Sequence, residues 1–212
     1  MCLLVLFTAA KQDSKEVEKI EKSTEVLQDF AKMKESIPAD LLTQSEGIVI
    51  IPNMINAGFG IGGKRGKGLA MVKQSNGEWS NPVFITITGG SIGFQAGVQS
   101  VDLVLLFRHK DVLAKANKGD FTIGGDISAA AGPVGRSGSA NTDYKLEAEI
   151  YSYSRSKGLF AGLSINGSNL SFDKKALKAF YGKNTSTETV FASSSSESAA
   201  VQTLRKTLST MN

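Results

Sequence analysis

A chain of 212 residues, 41% hydrophobic and 21% charged, is long and apolar enough for one domain with a core, or a domain plus an appendage. One cysteine, Cys2, and one histidine, His109, exclude a disulfide framework, a cysteine-based zinc site and any two-histidine metal motif. A net charge of +4, with no Lys/Arg run longer than two, is compatible with an anionic phospholipid surface and carries no nucleic-acid signature.

Residues 2–10, CLLVLFTAA, are apolar and end in small side chains before the charged stretch that starts at Lys11. That pattern is the apolar core and cleavage zone of an export signal without its basic leader, and it is too short to span a bilayer as a helix. The expectation is an exported protein of the periplasm or envelope. From 13 to 42 the apolar residues Val17, Ile20, Leu27, Phe30 and Ile37 recur at helical steps, and Pro38 breaks the helix near its end. GIVIIP, residues 47–52, is β-branched and predicts a buried strand. The glycine-rich residues 57–68, AGFGIGGKRGKG, read as a turn region. Two strands joined at Asn76-Gly77 then form a hairpin, with Trp79 packing over its turn.

Residues 101–107 are solidly apolar and predict another strand. A short helix follows, with Asp111 as N-cap and Gly119 at its end. Strands are predicted at 121–131, 143–154 and 158–168. In the second of these, alternation puts Tyr144, Leu146, Ala148, Ile150 and Ser152 on one face and Lys145, Glu147 and Glu149 on a wet one. Residues 173–181 read as a helix. After the serines 193–196, a last helix carries Val201, Leu204 and Leu208 on one side. Strands in the middle and helices at both ends give an α+β fold with a mostly antiparallel, sheet- or barrel-like core.

Two motifs invite chemistry. GGSIG, residues 89–93, fits the G-x-S-x-G of a nucleophile elbow, with Asp102 and His109 following in the hydrolase order. The elbow requires a helix after Ser91, yet Gly93 and Gly97 disfavour one and Phe94, Ala96 and Val98 alternate like a strand. A glycine turn entering a strand is the better reading, and His109 reads as a surface or capping residue. Residues 58–63 fit G-x-G-x-x-G, but no helix follows to face a pyrophosphate. Lys64, Arg65 and Lys67 lie among glycines and could hold a phosphate, with Arg136, Arg155 and Lys157 joining if the fold gathers them.

GGSIGFQAG (89–97) with Asp102, AAGPVGR (130–136), YSYSRSKGLFAGLSINGS (151–168) and AFYGK (179–183) together resemble the blocks of the SYLF domain family, in order, over about 41–208. The resemblance implies a lipid-binding module with no catalytic residues and no cofactor. Eukaryotic members bind phosphoinositides and yeast-type members contact actin; bacterial members are small exported envelope proteins. It also implies structural roles for Gly89, Gly90, Ser91, Gly93, Gln95, Gly97 and Asp102. The layout is then a signal remnant at 1–10, an amphipathic helix at 11–40 and the SYLF-like domain at 41–212. Eukaryotic members are credited with membrane contact through an amphipathic N-terminal helix. Here residues 11–40 carry six lysines against eight acidic residues, a poor match to anionic lipid. The expectation is that this helix packs on the body and leaves head-group contact to Lys64, Arg65, Lys67, Arg136, Arg155 and Lys157. The alternative is a structural module that meets an envelope protein.

Overall fold

The structure, a computed structural model, describes residues 10–33, 37–116, 121–132, 148–160 and 163–211. The first helix, α1 (Ala10–Lys32), buries Ile20, Leu27 and Phe30 as the spacing predicts, together with Val26; Val17 is only partly covered. Ser23 and Thr24 lie on the same buried side and return their hydroxyls to the Lys19 and Ile20 carbonyls at 2.8 and 3.0 Å. α1 stops short of Pro38, which caps a separate helix, α2 (Ala39–Gln44), where its missing N–H costs nothing.

Two long strands follow, β1 (Gly47–Val72) and β2 (Val83–Phe107). They form one antiparallel hairpin, registered from Ala70 with Val83 beside the turn to Gly47 with Phe107 at the open end. The turn sits at Asn76-Gly77 as predicted: Gly77 has φ +84°, and the Asn76 side chain accepts from the Glu78 N–H at 3.0 Å.

Residues 57–68 are not a turn region. They are the middle of β1, and their glycines bend a continuous strand. A Cβ on Gly68 would fall on the Ile50 carbonyl oxygen, so the far part of β1 crosses back over its own start. Only a glycine permits that approach.

The short strands attach to β2. β5 (Ile150–Ser156) pairs along 102–107 and β7 (Ser168–Phe172) along 85–89. β3 (Thr122–Ile123) extends β7, and β6 (Leu159–Phe160) extends β5. β4 (Ala129–Ala131) lies parallel to β5; the other paired strands are antiparallel. The result is the barrel-like, mostly antiparallel sheet that the alternation predicts.

Both faces of this sheet are covered. Inside lie Val49, Ile51, Ile85, Ile87, Leu103 and Leu105, plugged by Leu113 of α3 (Lys110–Lys115). Outside, Ile48, Ile50, Val104, Leu106, Tyr151 and Tyr153 pack under α1, α4 (Lys174–Tyr181) and α6 (Ala199–Thr210). Burial of these two apolar layers drives assembly. Of the wet face predicted within residues 143–154, Glu149 is described and is half-buried, and Tyr151 and Tyr153, which continue that side, are buried because helices cover it; Ile150 and Ser152, on the side predicted dry, are buried as expected. The rest of that expectation, residues 143–147, lies outside the described residues.

His109, not Asp111, occupies the N-cap position of α3. Asp173 caps α4 as the helix predicted at 173–181 requires, and α6 buries Val201, Leu204 and Leu208 as its pattern predicts. The short α5 (Thr187–Phe191), capped by Ser186, had no apolar period long enough to announce it.

Candidate functional site

β2 runs without a break through Ser91, whose backbone pairs with Gly62, and on to Phe107. The glycine turn expected at GGSIG is absent, and so is the strand-to-helix elbow that an acyl nucleophile requires. Asp102 is committed elsewhere. Its carboxylate accepts from Arg155 Nε at 3.0 Å and Nη2 at 2.8 Å, and from the Asn53 N–H at 2.9 Å. It fixes β2 against β5 and the bulge of β1, in keeping with a structural role.

The cations read as one head-group cluster separate in the fold. Arg155 is not available: besides Asp102 it donates from Nη2 to Asp29 of α1 at 2.6 Å and stacks over Phe30 at 5.9 Å. It clamps the N-terminal helix to the sheet. Lys64 points inward and is 4% exposed. Its ammonium donates to the Ser164 carbonyl at 2.6 Å and faces the Asn166 carbonyl at 3.5 Å, and burial holds its pKa below the ordinary lysine value. Gly89, the first glycine of GGSIG, makes room for it. A Cβ there would meet Lys64 Cε at 2.9 Å and Ser168 Cα at 3.0 Å. Arg136 lies outside the described residues.

Arg65 and Lys67 alternate with Lys64 and face outward, both exposed. Lys67 pairs with Asp173 at 3.0 Å, while Asp173 also accepts from the Ala176 N–H at 3.0 Å as N-cap of α4. Burial alone would raise the Asp173 carboxyl. The cap hydrogen bond and Lys67 outweigh it and hold the pKa below its ordinary value. Lys19 of α1 adds to this field; its own pKa is lowered, by burial first, against the opposing pull of Glu16. Directly after Asp173, α4 presents Lys174, Lys175 and Lys178, all exposed. No acidic residue occurs between Lys174 and Lys183. Arg65 and Lys67 on β1 and Lys174, Lys175 and Lys178 on α4 are thus exposed cations on the two elements that the Lys67–Asp173 pair joins. The three lysines of α4 were not among the expected site residues. Their signal was KKALK, with lysines at i and i+4 on a helix free of acids. Lys157 stands apart at the β5–β6 turn, exposed and with φ +52°.

Among the described residues no group of His, Cys, Asp and Glu could hold a metal ion, and no helix is long and apolar enough to cross a membrane.

A family profile described as "Ysc84: Las17-binding protein actin regulator" matches residues 88–211. The chain is 33% identical over 175 residues to the SH3 domain-containing YSC84-like protein 1 of Xenopus laevis, covering 82% of this chain and 52% of that protein. It is 34% identical over 172 residues to LAS seventeen-binding protein 3 of Saccharomyces cerevisiae, covering 77% and 37%. The human YSC84-like protein 1 is 33% identical over 167 residues, covering 76% and 48%. The chain therefore spans about half the length of these relatives, or less.

Proposed function

The chain belongs to the Ysc84 family, the SYLF-domain proteins, and from that premise we propose that it is a non-enzymatic binding module that docks on anionic phospholipid through its basic outer face. The observation that carries this reading is the face itself: Arg65, Lys67, Lys174, Lys175 and Lys178 exposed together, with Asp173 the one carboxylate paired into it. A sheet edge and a helix present the charges from rigid elements, so little side-chain scaffolding has to be ordered on contact. The fit is to phosphate-bearing head groups, held by several weak, screened contacts. Export to the envelope belongs to the same proposal. It rests on the apolar residues 2–10, of which 2–9 lie outside the described residues.

The test is flotation of the full chain with phosphatidylcholine vesicles, with and without phosphatidylserine, at low and high salt. Binding that needs phosphatidylserine and falls with salt is the expected result. Arg65→Glu with Lys174→Glu abolishes it. Asp173→Asn keeps an acceptor for the Ala176 N–H but releases Lys67, and raises affinity several-fold at low salt, since a phosphate contact near a membrane is worth about 1 kcal/mol per cation. Asp173→Ala also loses the cap and lowers stability by about 1 kcal/mol in urea denaturation. No flotation under any condition sinks the lipid reading.

A second reading is favoured by the description of the family as a Las17-binding actin regulator. The same basic face would suit an acidic protein surface. Co-sedimentation with actin filaments, lost with the same charge reversals and without any vesicle binding, would move the assignment there.

A further inference from the structure

Among the described residues the exposed large hydrophobic side chains are Ile55 (44% exposed), Val98 (76%) and Leu159 (73%). The register brings Ile55 and Val98 together on one face and sets Leu159 in the adjoining β5–β6 hairpin, on the other face. Ile55 pairs with Ser100 and Ala57 with Val98, so Ile55 and Val98 are diagonal neighbours across β1 and β2. Ser156 of β5 donates its hydroxyl to the Ser100 carbonyl at 3.1 Å, and Leu159 pairs with Ser156. An apolar side chain exposed alone needs no explanation; a ribbon end that carries one on both of its faces does.

The stretch of hairpin that bears them is unusual in two further ways. Residues 53–63 and 90–101 contain no charged residue. Strand β2 pairs with β7 up to Gly89 and with β5 from Asp102, so between those points it pairs with β1 alone. This is a two-stranded ribbon, neutral along its length, that no third strand flanks among the described residues. Cations stand at its base. Arg65, two residues beyond the neutral stretch of β1, is exposed. So is Lys157, in the turn that Ser156 ties to Ser100. Neither has an ion pair among the described residues. Arg65 also continues the basic face of Lys67 and α4.

We propose that this neutral ribbon is a membrane-entering wedge: Ile55, Val98 and Leu159 pass below the head groups of an anionic bilayer while Arg65 and Lys157 engage the phosphates at its base. The inference rests on the lipid reading above and names the part of the molecule that crosses the surface. Its chemistry follows the division of labour of interfacial proteins, an apolar part buried at the acyl boundary and cations held at the phosphate level. The inner N–H and C=O groups of the ribbon are paired, and its two open edges limit entry to the hydrated boundary between head groups and acyl chains.

The test uses the full chain carrying Val98→Trp. The native Trp79 is buried and serves as a constant background. Phosphatidylcholine/phosphatidylserine vesicles are prepared with and without brominated acyl chains. The expected result is a blue-shifted emission on binding, quenched by bromine, together with an at least tenfold loss of flotation for Val98→Asp and for Ile55→Asp, both with unchanged melting temperature. If the chain floats but the introduced indole is neither shifted nor quenched, the wedge is overturned and the lipid reading stands. If the unsubstituted chain ignores every vesicle, both are overturned. If it sediments as a dimer without lipid, and Val98→Asp returns it to a monomer, the apolar spot belongs to a second copy and the wedge is overturned.

Discussion

Lys64, Arg65 and Lys67 stand within four positions of one another and do three different things. Lys64 is sealed under carbonyls, Arg65 is open, and Lys67 is matched to Asp173. Read as a turn, the segment makes one cluster. Read as a strand, its period of two sends Lys64 to the inner face and the other two outward. The glycines hid that period: bending a strand and reversing a chain both call for glycine, and only the approach of Gly68 to Ile50 separates the two cases. Arg155 was legible as a basic residue in a family block, but its partner Asp29 lies far away in sequence, and spacing cannot announce such a contact. A pH dependence follows at this scale. Burial lowers the pKa of Lys19, Lys64 and Lys73 below the ordinary 10.5, so the unfolded chain binds protons there that the folded chain has released. Stability therefore rises with pH as it climbs through the lowered values toward 10.5. Buried Tyr153 and Tyr181, shifted upward from the ordinary 10.0, oppose this above pH 10, because the unfolded state then loses its phenolic protons first. Urea midpoints should increase from neutrality toward pH 10. A Lys64→Met variant should show a shallower rise, and an unchanged slope would remove Lys64 from the account.

The elements divide by how local their signals are. The stripe of α1, the Asn76-Gly77 hairpin turn, the Asp173 cap and the apolar side of α6 were all readable, since each depends on residues within a turn or two of one another. What covers the outer face of β5 was not readable: it is helices from both ends of the chain. The expectation that α1 packs on the body, drawn from its excess of acidic residues, agrees with the fully buried Leu27 and Phe30 and with Arg155 reaching across to Asp29. This has a measurable cost. Leu27→Ala opens a cavity against the sheet and should lower stability by about 2–5 kcal/mol. The Glu18–Lys22 pair on the solvent side of the same helix is fully exposed, and Glu18→Ala should leave the urea midpoint almost unchanged. Equal effects from the two substitutions would mean that α1 is not docked in solution.

At the scale of the whole molecule, composition and alternation were enough for an α+β class with an antiparallel, barrel-like core. The closure was not readable, because it depends on one strand crossing itself. The blocks resembling the SYLF family filled that gap for identity but not for the surface that acts. The basic face is assembled from β1 and α4, whose paired residues Lys67 and Asp173 stand 106 positions apart. The packing of α1 also sets a timetable. α1 is synthesised before the residues that share its apolar layer: Leu106, Tyr153 and, in α6, Val201, Leu204 and Leu208. Its partners are still unmade when it emerges, so Ile20, Leu27 and Phe30 stay uncovered until α6 has been synthesised. A stalled nascent chain that ends before α6 should therefore be cut by protease within α1, whereas the released chain should resist. During that interval the same helix is exposed to any chaperone or bilayer near the exit tunnel, and the closing of α6 ends its availability.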